Sequence, residues 1–537
     1  MFIDIKKLKS RGAPAIAAVF AVAAVLTVVY YIIWPSGAFF HSDCSDTILW
    51  AQASYDSGSL FNPDFGYAAM LPFGGTMLMI PFIGIFGVST TTHHIGMVLF
   101  TLLMFAAVWL LCRSLKFSHA LSFSTVGLMA MILCASAKLR EIFYEHVIYY
   151  SISVVIICVL LSLFIKFKET FSAENSKKFA FVTACIVLFS ICSALDGMQV
   201  IATGVVPVLF AAAAEIFLNK ENKLFSKESR ISLYFCLICG GSVIIGLWIM
   251  IMLSRGISAG YANAYSSYAN MEDWLSNLCN FPQHWFLLFG VDAEYGMSIF
   301  SLESIINIIR MAAAVIIAAV PVIALILYKK FDFGSRLMIL AHFGVSAVIM
   351  FGYIFGILSA ANWRLSPMIC TGLVVCIAAF RTAKDYVVPL RLSVIAACVL
   401  VLMSGVSFMN IAQMEKNGIE INEKYKLAVQ LEEKGLTHGF ATFWNSQAIT
   451  VLSDSRVKAA NIDVKEDGIS PASYQSNSSW FEPVEGVDEY FVLLTDYEVE
   501  VLQGTNEWAF FDLLSTDHFT LEDGYQVYTF SSLFFLS

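Results

Sequence analysis

Apolar runs of about 20 residues, the length at which a helix crosses a bilayer, recur along the first three quarters of this 537-residue chain. The first, residues 14–34, follows the basic stretch Lys6, Lys7, Lys9 and Arg11. It is too long for the apolar part of a signal peptide, and no small-residue cleavage site follows, so it reads as an uncleaved first span. The further candidates are residues 94–112, 119–135, 147–165, 179–194, 200–218, 231–253, 305–328, 337–358, 367–380 and 392–411. Composition points the same way. The chain is 58% hydrophobic and 14% charged, with a mean hydropathy of +0.74, whereas a soluble domain is about 45–50% apolar and about 25% charged.

One more apolar stretch, residues 69–88, is interrupted by Pro72, Gly74, Gly75, Pro81 and Gly84 and has no Lys or Arg at its flanks. Cytoplasmic loops are enriched in Lys and Arg, and this bias decides how the stretch is read. If it lies on the outer surface or dips in and returns, 20 of the 25 basic residues in 1–411 fall on the cytoplasmic side. Only Lys138, Arg140, Arg255, Arg310 and Arg364 are then left outside. If it spans, every later basic loop moves out. The expected topology is therefore about eleven spans, with a cytoplasmic N-terminus and an extracytoplasmic tail.

Charge divides the chain into an expected membrane domain, residues 1–411, and a soluble domain, residues 412–537. The first carries 25 Lys+Arg and 20 Asp+Glu; the second carries 7 and 21, a net of −14. An acidic tail of this size argues against nucleic acid as a partner. Within the tail, residues 423–434 read as an amphipathic helix with Leu427 and Leu431 one turn apart, stopped by Gly435. Residues 490–495 and 525–530, rich in aromatic and branched side chains, read as strands. An α/β or α+β domain fits, serving recognition or packing, since no cofactor loop, metal cluster or nucleophile motif is present. All 12 cysteines precede residue 400, and Cys236-x-x-Cys239 has no second pair to make a zinc site. Cys44 and Cys279 fall in expected outer loops, where they either pair or stay as two free thiols.

The densest chemistry follows the first span, in Phe39-Phe40-His41-Ser42-Asp43-Cys44-Ser45-Asp46. Asp43 and Asp46 are carboxylates just beyond the membrane edge, and residues 46–57 suit a short interfacial helix ended by Gly58. A carboxylate here can act as a general base. Equally, both can be solvated loop residues, or Asp46 can cap the helix. The basic residues expected at outer span ends, His94, Lys138, Arg140 and Arg364, can hold a lipid phosphate. Alternatively they snorkel to headgroups or pair with Glu141 and Glu145.

The order of motifs resembles the GT-C glycosyltransferases, with protein O-mannosyltransferases and lipid A aminoarabinose transferases as the nearest parallels. It comprises an acidic residue after the first span, a short helix ending in Ser57-Gly58, and Leu71-Pro72-Phe73 leading to Phe86-Gly87-Val88. A long span ending in Arg113 follows. Asp196-Gly197 at a tight turn and Trp363-Arg364-Leu365-Ser366-Pro367 before a late span extend the likeness over about residues 14–380. The family's Asp-Glu pair stands here as Asp43-Cys44, its Lys before the proline segment as Leu71, and its Arg at the next span as His94.

The resemblance implies an inverting transfer of a sugar from a polyprenyl-phosphate donor to an extracytoplasmic acceptor, a cell-envelope glycan, lipid or protein, in a bacterial-type membrane. Asp43 is then the base with Asp46 as its substitute, and Arg364, His94, Lys138 and Arg140 hold the leaving phosphate. The implied fold is a polytopic all-α membrane domain with surface-lying helices and a soluble α/β domain. No cofactor is called for, and a divalent metal is left open without being indicated. The rival readings are a non-catalytic binder of lipid-linked sugars or envelope-assembly partner, and a transporter. Against the transporter, the spans hold almost no ionisable residues beyond Glu215 and Asp196 near their ends.

Overall fold

The structure, a computed structural model, describes residues 5–173, 175–218, 226–257, 267–357, 361–382, 390–505, 508–521 and 524–536. Among these, ten helices are long and apolar enough to cross a membrane. They are Gly12–Ile33, Thr90–Ser114, Tyr149–Ser172, Ser176–Leu195, Gly197–Leu218, Ser229–Leu253, Leu302–Ile326, Phe333–Phe355, Asn362–Thr382 and Leu390–Ala412. An eleventh candidate is a pair, His119–Ile132 and Ala137–Glu145, bent by 118° at the break. The chain is a multi-pass membrane protein, and each helix falls on an apolar run read from the sequence. The basic residues Lys220, Lys223 and Lys384, and residues 258–266 of the long expected outer loop, lie outside the described residues.

The ambiguous stretch forms a π-type turn, Pro72–Thr76, and a helix, Met77–Phe86. Its glycines set that length. Gly75 takes φ of 140°, which a side chain opposes, and Gly87 at φ 65° ends the helix. The resulting apolar helix is too short to cross a bilayer.

The chain divides into two compact units. One comprises Met1–Tyr30, Phe100–Ile251 and Tyr265–Met414 and holds most of the membrane helices. Its centre is Asn362–Thr382, with 83% of its apolar window buried, beside Tyr149–Ser172 with 78%. Ser229–Leu253, with 22%, lies at the periphery. Small residues allow this central packing: a Cβ on Gly372 would stand 3.0 Å from the Ile317 carbonyl oxygen. The buried carboxylate of Glu215 is held by the Arg336 guanidinium at 2.6 Å and by the Tyr328 hydroxyl.

The other unit comprises Tyr31–Leu99, Met252–Ala264 and Glu415–Ser537. It contains a six-stranded sheet of β1 (His438–Ala441), β2 (Lys458–Lys465), β3 (Gly468–Pro471), β4 (Tyr490–Leu494), β5 (Asp517–Thr520) and β6 (Gln526–Phe530), ordered β3-β2-β1-β4-β6-β5. β1 runs parallel to β2 and β4, and the outer pairings are antiparallel. The helix Phe443–Leu452 makes the β1-to-β2 crossover that parallel neighbours require.

Both faces of the sheet are covered. Phe491 and Leu493 pack under the helices Glu423–Glu433 and Phe443–Leu452 with Leu427, Leu431 and Ile449. Val492 and Leu494 pack on the other face with Val499 and Phe511. A strand buried on two faces has no polar alternation, which is why β4 reads as an unbroken apolar run. The expected helix and both expected strands are present, and the domain is α/β.

Candidate functional site

The first-loop helix runs Ser42–Ser57, four residues longer at its start than the sequence pattern gave, and closes on Gly58 in the left-handed region. The N-cap is His41, without a side-chain capping bond. Asp46 therefore lies inside the helix, and its reading as a cap does not hold. Asp43 occupies the first turn, where a carboxylate is favoured by the helix dipole. Asp46 follows one turn on, and positions three apart share a face.

The two carboxylates differ in surroundings. Both residues are half-buried, but Oδ1 of Asp46 is cut off from solvent and has no hydrogen-bond partner. Burial holds the Asp46 carboxyl well above the usual carboxylate range, and the charge of Asp43 pushes it in the same direction. His41 and the side-chain amide of Gln475 oppose that shift by favouring the ionised form.

Gln475 belongs to the C-terminal segment, and the chain around it is built to hold it in place. It is fully buried and sits at φ 53°. Its Oε1 accepts from Trp50 Nε1 at 2.8 Å and from the Ala68 amide at 3.4 Å. Its backbone amide donates to the Gly66 carbonyl at 2.7 Å, and its carbonyl accepts from Gln447 Nε2 at 2.7 Å. Gly66 is required for this approach, because a Cβ there would lie 1.7 Å from the Ser473 carbonyl oxygen. Asn422, which caps the helix Glu423–Glu433, also donates to the carbonyls of Gly37 and Phe40. The first loop and the tail thus share one core. Gln475 carried no local signal: it is a polar residue in the polar stretch Tyr474-Gln475-Ser476-Asn477.

His94 lies in the same unit, half-buried near the start of Thr90–Ser114 and within electrostatic reach of Asp454. Asp454 also accepts from the Thr90 amide and hydroxyl, both at 2.8 Å. The neighbouring His93, not singled out by the sequence, is buried with its ring edge-on to Phe40 at 5.0 Å. On another face of the first-loop helix, Leu49, Gln52 and Asp56 line a cavity of about 450 Å³ with Phe440, Trp480 and Tyr490.

Lys138, Arg140 and Arg364 belong to the helical unit. Trp363 and Arg364 sit in a one-turn helix, Asn362–Leu365, that leads into Ser366–Thr382. Lys138, on Ala137–Arg140, places its ammonium 4.9 Å from the Trp363 ring centre and 2.5 Å from Glu141. Arg364 is half-buried and donates to the Gly352 carbonyl at 3.4 Å. The structure thus brings Lys138 to the Trp363–Arg364 turn. Arg140 is buried and donates to the Cys134 carbonyl at 3.3 Å.

Cys44 is buried and Cys279 exposed, and neither these two nor Cys236 and Cys239 are joined by a disulfide. Among the described residues no three His, Cys, Asp or Glu side chains are grouped as metal ligands.

No family model matches the chain, and no curated protein does. Similar solved structures include the Archaeoglobus fulgidus oligosaccharyltransferase in complex with Zn and sulfate, at 12% identity and a TM-score of 0.48. That match covers 96% of this chain and 74% of the other. The oligosaccharyltransferase AglB of the same organism, in complex with an inhibitory peptide and a dolichol-phosphate, matches at 11% and 0.46, covering 98% and 75%. ArnT from Cupriavidus metallidurans in the apo state matches at 10% and 0.45, covering 97% and 98%. At these identities and scores the likeness assigns neither an activity nor a ligand to this chain.

Proposed function

We propose that the protein is a membrane glycosyltransferase of GT-C type, which moves a sugar from a polyprenyl-phosphate donor to a hydroxyl of an extracytoplasmic acceptor. The observation that carries this reading is the carboxylate pair on the first-loop helix. Asp43 is the reachable member; Asp46 is held toward its neutral form by burial and by Asp43, with the Gln475 amide against it. A carboxyl enclosed by burial beside a second one on the same helix lets the two side chains take different parts in a single displacement.

Asp43 takes the acceptor proton as the acceptor oxygen bonds to the anomeric carbon, and the bond from that carbon to the phosphate oxygen breaks. Inversion follows from the one displacement. Asp46, held toward its neutral form, and Gln475, anchored to Trp50, are positioning residues that shape this point of the helix. The electron pair leaves on the lipid phosphate, which needs cationic partners. Arg364 and Lys138, gathered at Trp363, suit that role; a guanidinium fork binds phosphate oxygens in pairs. His94 is assigned to the same donor. Arg140, turned to its own chain at Cys134, holds the bend instead.

The test is an assay of the purified protein against a panel of polyprenyl-phosphate sugars with cell-envelope glycans, lipids and proteins as acceptors. Asp43→Asn keeps the shape but cannot accept a proton, so transfer should fall about 10²–10⁴-fold while thermal stability stays unchanged. Tight binding of a lipid-linked sugar without turnover would favour the non-catalytic reading. Full activity in Asp43→Asn, with loss in Asp46→Asn, would move the base one turn along the helix.

A further inference from the structure

At the end of the helical unit where Thr90–Ser114 and Tyr149–Ser172 finish and Phe333–Phe355 begins, a cavity of about 300 Å³ opens. Its walls are of two kinds. Leu115, Ile165 and Phe333 supply an apolar lining, and Lys116 and Lys168 supply positive charge beside Glu169 and Asp332.

The carboxylates are already committed. Asp332 pairs with Arg381 at 2.9 Å and caps the Ser335 amide, and Glu169 pairs with Lys166 at 2.9 Å. Lys116 is exposed, at φ 59°, and has no carboxylate partner among the described residues. Lys168 holds its ammonium 3.5 Å from the Phe333 ring centre, a contact that fixes its position while keeping its charge. Arg381 also donates to the Leu115 carbonyl at 2.7 Å, so a further cation anchors the wall. Cations outnumber carboxylates around the opening, and a cavity at the ends of spans lies at headgroup level.

We propose that this cavity binds one phospholipid with an anionic headgroup. Lys116 and Lys168 would take the phosphate, and Leu115, Ile165 and Phe333 would take the first part of an acyl chain. The apolar lining favours a lipid over a free phosphate ion, which would gain nothing from it. Basic pockets between membrane helices are a recurrent means of holding anionic headgroups. The site is independent of the glycosyl-transfer reading, and neither stands or falls with the other.

The experiment is native mass spectrometry of the full chain in detergent, titrated with phosphatidylglycerol, phosphatidylcholine or inorganic phosphate. The parent should retain phosphatidylglycerol in preference to phosphatidylcholine. The double variant Lys116→Ala/Lys168→Ala should bind it about 30-fold more weakly. Ser172→Glu, an exposed position lining the same cavity, should weaken it as well. Lys177→Ala/Lys178→Ala, exposed cations outside the cavity lining, should leave it unchanged. Equal retention of the two lipids, parent-like binding by both cavity variants, or displacement of the lipid by millimolar phosphate would each overturn the proposal.

Discussion

The two compact units differ in the longest reach of their buried polar groups. In the helical unit, several buried hydroxyls return to their own helix one turn back. Ser162 donates to the Cys158 carbonyl at 2.7 Å, Thr371 to Pro367 at 2.8 Å and Ser404 to Leu400 at 2.9 Å. In the unit that combines the first loop with the tail, key buried polar groups reach across the sequence. Trp50 meets Gln475 over 425 positions, and Asn422 meets Gly37 over 385. The difference reflects the solvent in which each part forms. A helix entering hydrocarbon has no water to bond its polar groups, so it must be self-sufficient from the start. A water-exposed segment can keep its groups hydrated until a distant partner arrives. The helical unit should therefore tolerate loss of single hydroxyls, whereas the other unit should depend on its long-range clamps.

An ion pair that crosses the helical unit gives the largest expected effect. Glu215 and Arg336 are 121 positions apart and mutually neutralised, with Glu215 buried. Glu215→Ala should cost about 3 kcal/mol, because it leaves a largely buried guanidinium unpaired. Glu215→Leu with Arg336→Leu should recover most of that loss. Thermal denaturation in detergent measures both. If the single variant melts like the parent, a tertiary ion pair does not matter in this unit, and the contrast becomes sharper than stated.

Gln475→Ala removes the acceptor for a buried indole N–H and the amide that faces Asp46. The expected cost is about 2 kcal/mol. Hydrogen exchange should rise across residues 31–99 and 415–537 and stay unchanged in the membrane helices. Uniform exchange in both units would break the comparison.

Asp46 gives a smaller effect that depends on pH. Its carboxyl is raised in the folded protein, so the folded state binds the proton more tightly than the unfolded state does. The stability it contributes is complete at acid pH and is lost as pH rises through the folded value. Asp46→Asn should flatten that part of the stability profile. A parent protein that gained stability over the same range would contradict the burial of this carboxyl.

The smallest expected effect is Ser162→Ala. That hydroxyl is buried but bonded only to its own helix, and a bond of this kind slightly destabilises a helix. The melting temperature should change by no more than the equivalent of about 1 kcal/mol. A loss as large as that of Gln475→Ala would show that the helical unit also relies on its buried hydroxyls.

The sequence by itself determined the membrane helices, the short broken stretch at 69–88, and the helix and strands of the acidic tail. Those features are local: a run of apolar residues long enough to span, a glycine where φ must be positive, a strand apolar on both faces. It also singled out Asp43 and Asp46, although it started the first-loop helix at Asp46, four residues late, because His41 offers no capping signal. Tertiary structure alone decided that the first loop and the tail form a single unit. The residues that join them, Gln475, Gly66 and Asn422, are a glutamine, a glycine and an asparagine with no local pattern that marks them. It also decided that Oδ1 of Asp46 is cut off from water, and that Lys138 comes to Trp363 while Arg140 turns to Cys134. Burial and charge pairing depend on which distant segment closes over a side chain, and no local pattern of residues encodes that.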